Sequence, residues 1–261
     1  MKLGVFQAAA TASWDERLKA LDLQLADKEV ELVVCPELFT TGYRIAGDHR
    51  ELAQPADGVW MQAMAHMARQ HQTALVYGYA ERAGEVVYNS AAMIGPNGAM
   101  LANHRKQLPA PDCFEERCFA DGVGPTFIAY RGIKIALVIC YELEFPETVR
   151  HAALQGATLV LAPTALVDEW QVIAEHLVST RAIESGIWIA YSNYTGPATD
   201  PAGITKNFAG GSRITGPDGR ERVVAVSVDE LIVAKIDPED AARIRQRLPY
   251  LRDLQRLQKG F

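Results

Sequence analysis

The sequence predicts an α/β domain with mixed sheets at its centre and helices outside. Three observations carry this. Strand-like and helix-like segments alternate along all 261 residues. Strands are also joined directly by turn signals, Gly95-Pro96-Asn97-Gly98 and Gly216-Pro217-Asp218-Gly219, which a purely parallel sheet would lack. No linker, repeat, low-complexity tract or shift in composition divides the series, so residues 1–261 are expected to form a single domain.

Each element has its own signal. Lys2 to Gln7 is an apolar run with strand character. Trp14 to Lys28 places Leu18, Leu21 and Leu25 at helical spacing with charges between them. Glu31 to Cys35 is a short buried strand stopped by Pro36. Gly58 to Gln72 repeats the amphipathic helical pattern, and Thr73 to Tyr79 returns to strand. Apolar runs flank the Gly95–Gly98 turn as a hairpin. Tyr130-Arg131-Gly132 is a second tight turn, and it leads into the strand that ends at Cys140. Phe145 to Gln155 reads as helix, Thr158 to Ala162 as strand, Glu169 to Ser185 as one long helix and Ile187 to Asn193 as strand. Val223 to Val226 and Leu231 to Ile236 are the last strands. Pro238 opens a final helix at a favoured first-turn position.

Composition excludes several classes. Hydrophobic residues make up 49% and charged residues 22% of the chain, so a large core forms without metal or disulfide staples. A net charge of −6 argues against a nucleic-acid surface or a polybasic membrane anchor. No apolar stretch approaches a membrane span, and the N-terminal run is too short for a signal peptide. The expectation is a cytoplasmic protein with reduced thiols at Cys35, Cys113, Cys118 and Cys140. None forms a Cys-x-x-Cys pair, so neither a zinc site nor a dithiol centre is expected.

The chemistry concentrates at strand ends. The run from Ile133 delivers Cys140 into the acidic stretch Tyr141-Glu142-Leu143-Glu144-Phe145-Pro146-Glu147. Open α/β sheets bind ligands at the carboxyl ends of their strands, so Cys140 is the leading candidate nucleophile. Glu37 follows the buried strand ending at Cys35-Pro36. Partial desolvation there raises a carboxylate toward a useful base. Lys106 ends a hairpin strand in the cluster His104-Arg105-Lys106 and presents a point charge. Taken singly, each has an ordinary alternative: an inert thiol, a loop acid, a solvated lysine. Sequence alone does not show which strands are neighbours.

Together, Cys35-Pro36-Glu37-Leu38-Phe39, Arg105-Lys106-Gln107-Leu108-Pro109 and Ile139-Cys140-Tyr141-Glu142-Leu143-Glu144-Phe145-Pro146-Glu147 resemble the three signature blocks of the nitrilase superfamily of carbon–nitrogen hydrolases, in the family's order. Tyr88-Asn89-Ser90-Ala91, Ala162-Pro163-Thr164-Ala165, Ser192-Asn193-Tyr194-Thr195-Gly196, Phe208-Ala209-Gly210-Gly211-Ser212 and Tyr250-Leu251-Arg252-Asp253 extend the resemblance over the chain. The resemblance implies a four-layer αββα sandwich with two mixed central sheets. It implies a Glu37–Lys106–Cys140 site, with Glu115 as second glutamate (its neighbour Glu116 ranking after it) and the backbone N–H of Tyr141 as oxyanion donor. It implies amide hydrolysis through a cysteine thioester with no metal or organic cofactor. The lysine charge is expected to favour the thiolate. Tyr43, Phe114, Ala165 and Asn193, with Tyr141, fall in the loops that border such a pocket.

The departures bear on substrate. The family often has Phe before the Pro-Glu of the first block, where this chain has Cys35. The cysteine is followed by Tyr141-Glu142 where the family commonly has Asp second. In branches resembling omega-amidases an arginine commonly stands where this chain has Glu144, which disfavours dicarboxylic monoamides. The Tyr-Glu-Leu-Glu-Phe-Pro-Glu string is closer to the branch of aliphatic and aromatic amidases, so a small monocarboxylic amide is the expected substrate. N-carbamoyl hydrolysis, omega-amidase activity and nitrile hydrolysis are the alternatives within the family. A non-catalytic binding subunit is the alternative outside it. His104, His151 and His176 belong to no motif with Cys140 and are expected to be structural or surface residues. The resemblance further implies a homodimer through the helices at 145–155 and 169–185, with the tail from about residue 249 at the interface.

Overall fold

The computed structural model describes residues 1–43, 48–111, 113–200, 202–226 and 228–258. In chain order the strands and α-helices are β1 (Lys2–Ala9), α1 (Trp14–Ala26), β2 (Leu32–Val34), α2 (His49–Leu52), α3 (Val59–His71), β3 (Ala74–Ala83), β4 (Val86–Ile94), β5 (Met100–Arg105), α4 (Glu115–Cys118), β6 (Thr126–Tyr130), β7 (Ile133–Leu137), α5 (Pro146–Leu154), β8 (Leu159–Pro163), α6 (Val178–Ser185), β9 (Trp188–Ser192), β10 (Tyr194–Thr199), β11 (Thr205–Ala209), β12 (Arg213–Thr215), β13 (Glu221–Val224), β14 (Glu230–Lys235), α7 (Glu239–Arg247) and α8 (Tyr250–Gln258).

The strands form two mixed sheets. One is 8-stranded, in the order β11-β10-β1-β2-β3-β4-β5, with β14 also pairing β1. The other is 6-stranded, in the order β13-β12-β9-β8-β7-β6. In each, three parallel strands lie inside: β1-β2-β3 and β7-β8-β9. Antiparallel strands extend both sheets outward, β4 and β5 in one, β6 and β12 in the other. The carboxyl ends of the parallel strands are where Glu37 and Cys140 emerge.

Period-two alternation builds the layers. Leu3, Val5, Leu32, Val34 and Val76 of the first sheet pack with Ile133, Ile135, Leu137, Leu159, Leu161 and Trp188 of the second. Their neighbours Phe6, Val33, Cys35, Leu75 and Tyr77 face the other way, against Leu21, Leu25, Met64 and Met67 of α1 and α3. In the second sheet Ala136, Val138, Val160, Ile189 and Tyr191 face Val149, Ala152, Val178 and Ala182 of α5 and α6. The result is the four-layer αββα sandwich. Each fully buried aliphatic side chain in these layers contributes about 1.5–3 kcal/mol relative to exposure. Helix α1 is fixed at its start by a capping box: Ser13 N–H donates to Glu16 Oε2 at 2.7 Å and Glu16 N–H to Ser13 Oγ at 3.3 Å.

Several elements differ from expectation. The helix expected from Glu169 to Ser185 is composite: a 3₁₀ turn at Asp168–Trp170, a π-helical turn at Ile173–Leu177, then α6. The Thr180 hydroxyl donates to the His176 carbonyl at 2.8 Å, a local back-bond that competes with regular helix. The hairpin β10–β11 carried no strand signal, because Thr195-Gly196-Pro197-Ala198-Thr199 is polar and broken by Gly and Pro. Pro238 stands at the cap before α7, not inside its first turn, and the expected single final helix is the pair α7 and α8. Helix α8 packs on α5 and α6 of its own chain. Among the described residues no helix is long and apolar enough to cross a membrane.

Candidate active site

Three chain segments converge between the sheets. Pro36 ends β2, and the Glu37 N–H then crosses to the second sheet, donating to Thr164 O at 3.3 Å. The next residue, Leu38, has φ 47°, which turns the chain back. Gly78 makes room for this turn: a Cβ there would lie 2.3 Å from Leu38 N and 2.7 Å from the Glu37 Cα. Lys106 follows β5. Its N–H donates to Asn89 O at 2.8 Å and its carbonyl accepts from Gly122 N–H at 2.7 Å.

Cys140 opens the 3₁₀ turn Cys140–Glu144 that follows β7. Alternation along this strand sends Ala136 and Val138 to the helical layer, so a continued strand would send Cys140 there too. Instead Cys140 has φ 48°, a left-handed conformation uncommon for a non-glycine residue, and its side chain joins the inter-sheet cluster. Strain of this kind occurs where the surrounding structure holds it, often at active sites.

The charged centre is a lysine between two glutamates. Lys106 Nζ lies 2.6 Å from Glu37 Oε1, and 3.0 and 2.7 Å from Glu115 Oε1 and Oε2. All three side chains are buried. Asn89 Nδ2 donates to Glu37 Oε1 at 2.7 Å and to Glu115 Oε2 at 3.3 Å. Tyr43 OH donates to Glu115 Oε1 at 2.5 Å, and Ala110 N–H to Glu115 Oε2 at 3.2 Å. Glu37 Oε2 accepts no hydrogen bond among the described residues. One carboxylate oxygen is thus held in place while the other keeps its lone pairs available for a proton.

The electrostatics follow from burial. Desolvation raises Glu37 to about 7, against the pull of the Lys106 ammonium, and the Glu115 charge adds to the rise. Burial works against the Lys106 charge, but Glu115 and Glu37 outweigh it and hold the lysine well above its ordinary value. Cys140 is raised well above the ordinary thiol value, first by burial and then by the Glu37 charge. Lys106 and a hydrogen bond from the Ala165 N–H act in the opposite direction. The lysine therefore favours the thiolate as expected, but does not prevail at rest. Burial thus holds Cys140 toward its thiol form, with the Glu37 charge acting in the same direction.

The remaining expected residues separate. Glu115 is buried at the start of α4, whereas Glu116 is exposed. Phe114 stacks on His49, with ring centroids 4.7 Å apart, and meets Tyr43 edge-on at 4.9 Å. Ala165 borders the sulfur through its backbone N–H. Asn193 is fully buried, with Oδ1 accepting from Leu166 N–H at 2.8 Å and Nδ2 donating to Leu166 O and Gly210 O, so its polar atoms serve the backbone. It holds the segment that presents the Ala165 N–H. Tyr141 is the second residue of the 3₁₀ turn, whose first N–H groups have no acceptor within the turn itself. His104 is buried, while His151 and His176 are exposed. The sequence reading gave Asn89 no role. A polar residue within the apolar strand β4 is the signal that points to it. Among the described residues no cluster of His, Cys, Asp and Glu could hold a metal ion.

Comparison with known proteins agrees with this geometry. The carbon–nitrogen hydrolase family model matches residues 4–246. A protein described as the hydrolase in the pqqF 5' region of Pseudomonas protegens is 33% identical, over 91% of this chain and 82% of its own length. An (R)-stereoselective amidase from a Pseudomonas species is 29% identical, over 89% of this chain and 82% of its own. Among solved structures, a double mutant of the amidase from Nesterenkonia sp. AN1 in complex with acrylamide superposes with a TM-score of 0.82 at 28% identity. It covers 100% of this chain and 96% of that one. The chain therefore belongs to the carbon–nitrogen hydrolase family, within the amidase-like branch of the nitrilase superfamily, and is a hydrolase of carbon–nitrogen bonds other than peptide bonds.

Proposed function

We propose that the chain is a thiol amidohydrolase that converts a small monocarboxylic amide to a carboxylic acid and ammonia through a thioester on Cys140. The observation that carries this reading is the buried Glu37–Lys106–Glu115 triad, in which Lys106 Nζ is 2.6 Å from Glu37 and 2.7 Å from Glu115 in the electrostatic field of Cys140. Cys140 Sγ attacks the amide carbon as Glu37 accepts the thiol proton. Lys106 Nζ and the Tyr141 N–H hold the oxyanion of the tetrahedral intermediate. Glu37 returns its proton to the departing nitrogen, ammonia leaves and the thioester remains. Glu37 then takes a proton from water as the hydroxyl oxygen attacks the thioester carbon. The acid departs and the proton returns to Cys140. Glu115 keeps Lys106 in place throughout.

Glu144 supports a substrate without a second carboxylate. It is half-buried, raised by desolvation, and within the field of Lys106, so an acyl group ending in an anion would meet like charge there. Tyr43 and Phe114 supply aromatic walls suited to a neutral acyl group. The solved structure of the Nesterenkonia amidase in complex with butyramide, 28% identical to this chain, has a ligand of this size.

The test is mass spectrometry of Cys140 during turnover of a panel of amides, ureido compounds and nitriles. The expected result is an acyl adduct on Cys140 with simple amides and none in Cys140→Ala. Full hydrolysis by Cys140→Ala would overturn the nucleophile, and faster turnover of ureido compounds or nitriles in direct competition would overturn the substrate class. The assembly we propose is a homodimer through the segments 145–155 and 169–185, where Trp170 and Val172 are exposed, with the tail from about residue 249 at the interface. A monomer mass in solution that does not change with concentration would exclude it.

A further inference from the structure

Glu142 lies two residues beyond Cys140, and its side chain is 2% exposed. Its Oε2 accepts from the Ile139 N–H at 2.6 Å and pairs with His104 Nε2 at 2.8 Å. Its Oε1 accepts from the Gln107 N–H at 2.8 Å. Ile139 immediately precedes Cys140, and Gln107 immediately follows Lys106. One carboxylate thus ties together the backbone beside both reactive groups, although β5 and β7 belong to different sheets.

His104 completes the connection. It stands two residues before Lys106 and is buried. Facing a carboxylate, its Nε2 carries the proton. Nδ1 lies 3.2 Å from the Thr126 hydroxyl on β6, within hydrogen-bond distance. The Glu142 N–H also donates to Ile139 O at 3.1 Å, closing the turn that carries Cys140 and Tyr141. The buried backbone N–H at 139 needs an acceptor, the Gln107 N–H is partly buried, and charge-assisted bonds are the stronger kind. Oxyanion donors work only when fixed to within about half an ångström of the developing charge.

We propose that Glu142 is a positioning residue: it sets the separation of Lys106 Nζ from the Tyr141 N–H, the two oxyanion donors, with His104 as its second anchor on the lysine strand. The proposal rests on the amide-hydrolase reading for the role of those donors. The juxtaposition that it tests is independent of substrate.

The experiment compares wild type with Glu142→Gln, Glu142→Asp and His104→Ala. It reads kcat and KM on butyramide, the pH profile of Cys140 alkylation by iodoacetamide, and the melting temperature. In Glu142→Gln an amide nitrogen faces a backbone N–H or the His104 donor, so one contact is lost. We expect kcat to fall about tenfold to a hundredfold with KM within about threefold, and the alkylation profile to move to higher pH. Glu142→Asp keeps the charge but cannot reach both Ile139 and Gln107, so it falls between. His104→Ala removes one anchor and lowers kcat several-fold, which keeps the test open should Glu142→Gln fail to fold. Wild-type kcat and an unchanged alkylation profile in a folded Glu142→Gln or His104→Ala protein, with only the melting temperature lowered, would overturn the clamp. Absence of butyramide turnover by wild type would count against the amide reading alone, and the alkylation profile would then decide the clamp by itself.

Discussion

Cys35 and Cys140 occupy matching places, each at the end of a parallel strand inside its sheet, and each is buried. Burial pushes both thiols up. Cys35 faces the helical layer, and desolvation alone accounts for its shift. Cys140 is turned by its positive φ into the space between the sheets, where Glu37, Lys106 and the Ala165 N–H act on it. Position at a strand end therefore does not make a nucleophile. A thiol becomes one when the backbone turns it toward a base and a cation.

The sharpest way to break this comparison is to remove each sulfur in turn. Cys140→Ala should lower kcat by on the order of 10⁴-fold or more. Cys35→Ala should keep kcat within about twofold and cost about 1–2 kcal/mol of stability for the small cavity it leaves. Steady-state turnover and urea unfolding of both variants check this, and equal losses of activity would erase the distinction. Lys106→Met comes next. It removes an oxyanion donor and leaves Glu37 and Glu115 facing each other without a cation, so kcat should fall on the order of 10²–10³-fold. Wild-type kcat in a folded Lys106→Met protein would remove the lysine from the chemistry.

The pH dependence tests the base. With Glu37 at about 7, kcat/KM should rise about tenfold per unit below that value and level off above it. The residual activity of Glu37→Gln should lack this limb. Stability has its own sign. Because the folded-state value lies above the ordinary 4.5, the folded site holds a proton that the unfolded chain has lost between about 4.5 and 7. The Glu37 share of stability is therefore largest below that window, declines as pH rises through it, and is constant above it. Melting temperatures of wild type and Glu37→Gln measured from pH 5 to 8 should diverge in that sense.

The last expected effect is geometric. Gly78→Ala places a methyl against the Glu37–Leu38 backbone and should destabilise the protein by about 1–3 kcal/mol. Activity should fall with it as Glu37 leaves Lys106. A Gly78→Ala protein with unaltered kcat and stability would show that the turn tolerates displacement.

Much of this was legible in the chain itself, for physical reasons. The alternation in Ile133-Lys134-Ile135-Ala136-Leu137 marks a buried strand because side chains on a strand alternate faces. The Gly95–Gly98 and Gly216–Gly219 turns mark hairpins because few residues adopt their backbone angles. The β10–β11 hairpin was not legible. Its stability comes from pairing with β1 and from the segment at Leu166, and neither leaves a periodic trace in Thr195 to Thr199. Asn193 illustrates the same limit. A buried asparagine serving the backbone and one facing a substrate look alike in sequence.

The sequence by itself determined the strand-end places of Glu37, Lys106 and Cys140 and the apolar faces that stack the layers, because these depend on local periodicity, and its motifs carried the family resemblance that singles those three residues out. Only the tertiary structure decided that β5 of one sheet and β7 of the other bring Lys106 and Cys140 to one centre. It alone gave Asn89 its contacts to both glutamates, reversed the side chain of Cys140, and set Glu142 across the gap. Those outcomes depend on which strands are neighbours and on how far burial outweighs charge, and both arise only once the two sheets are packed together.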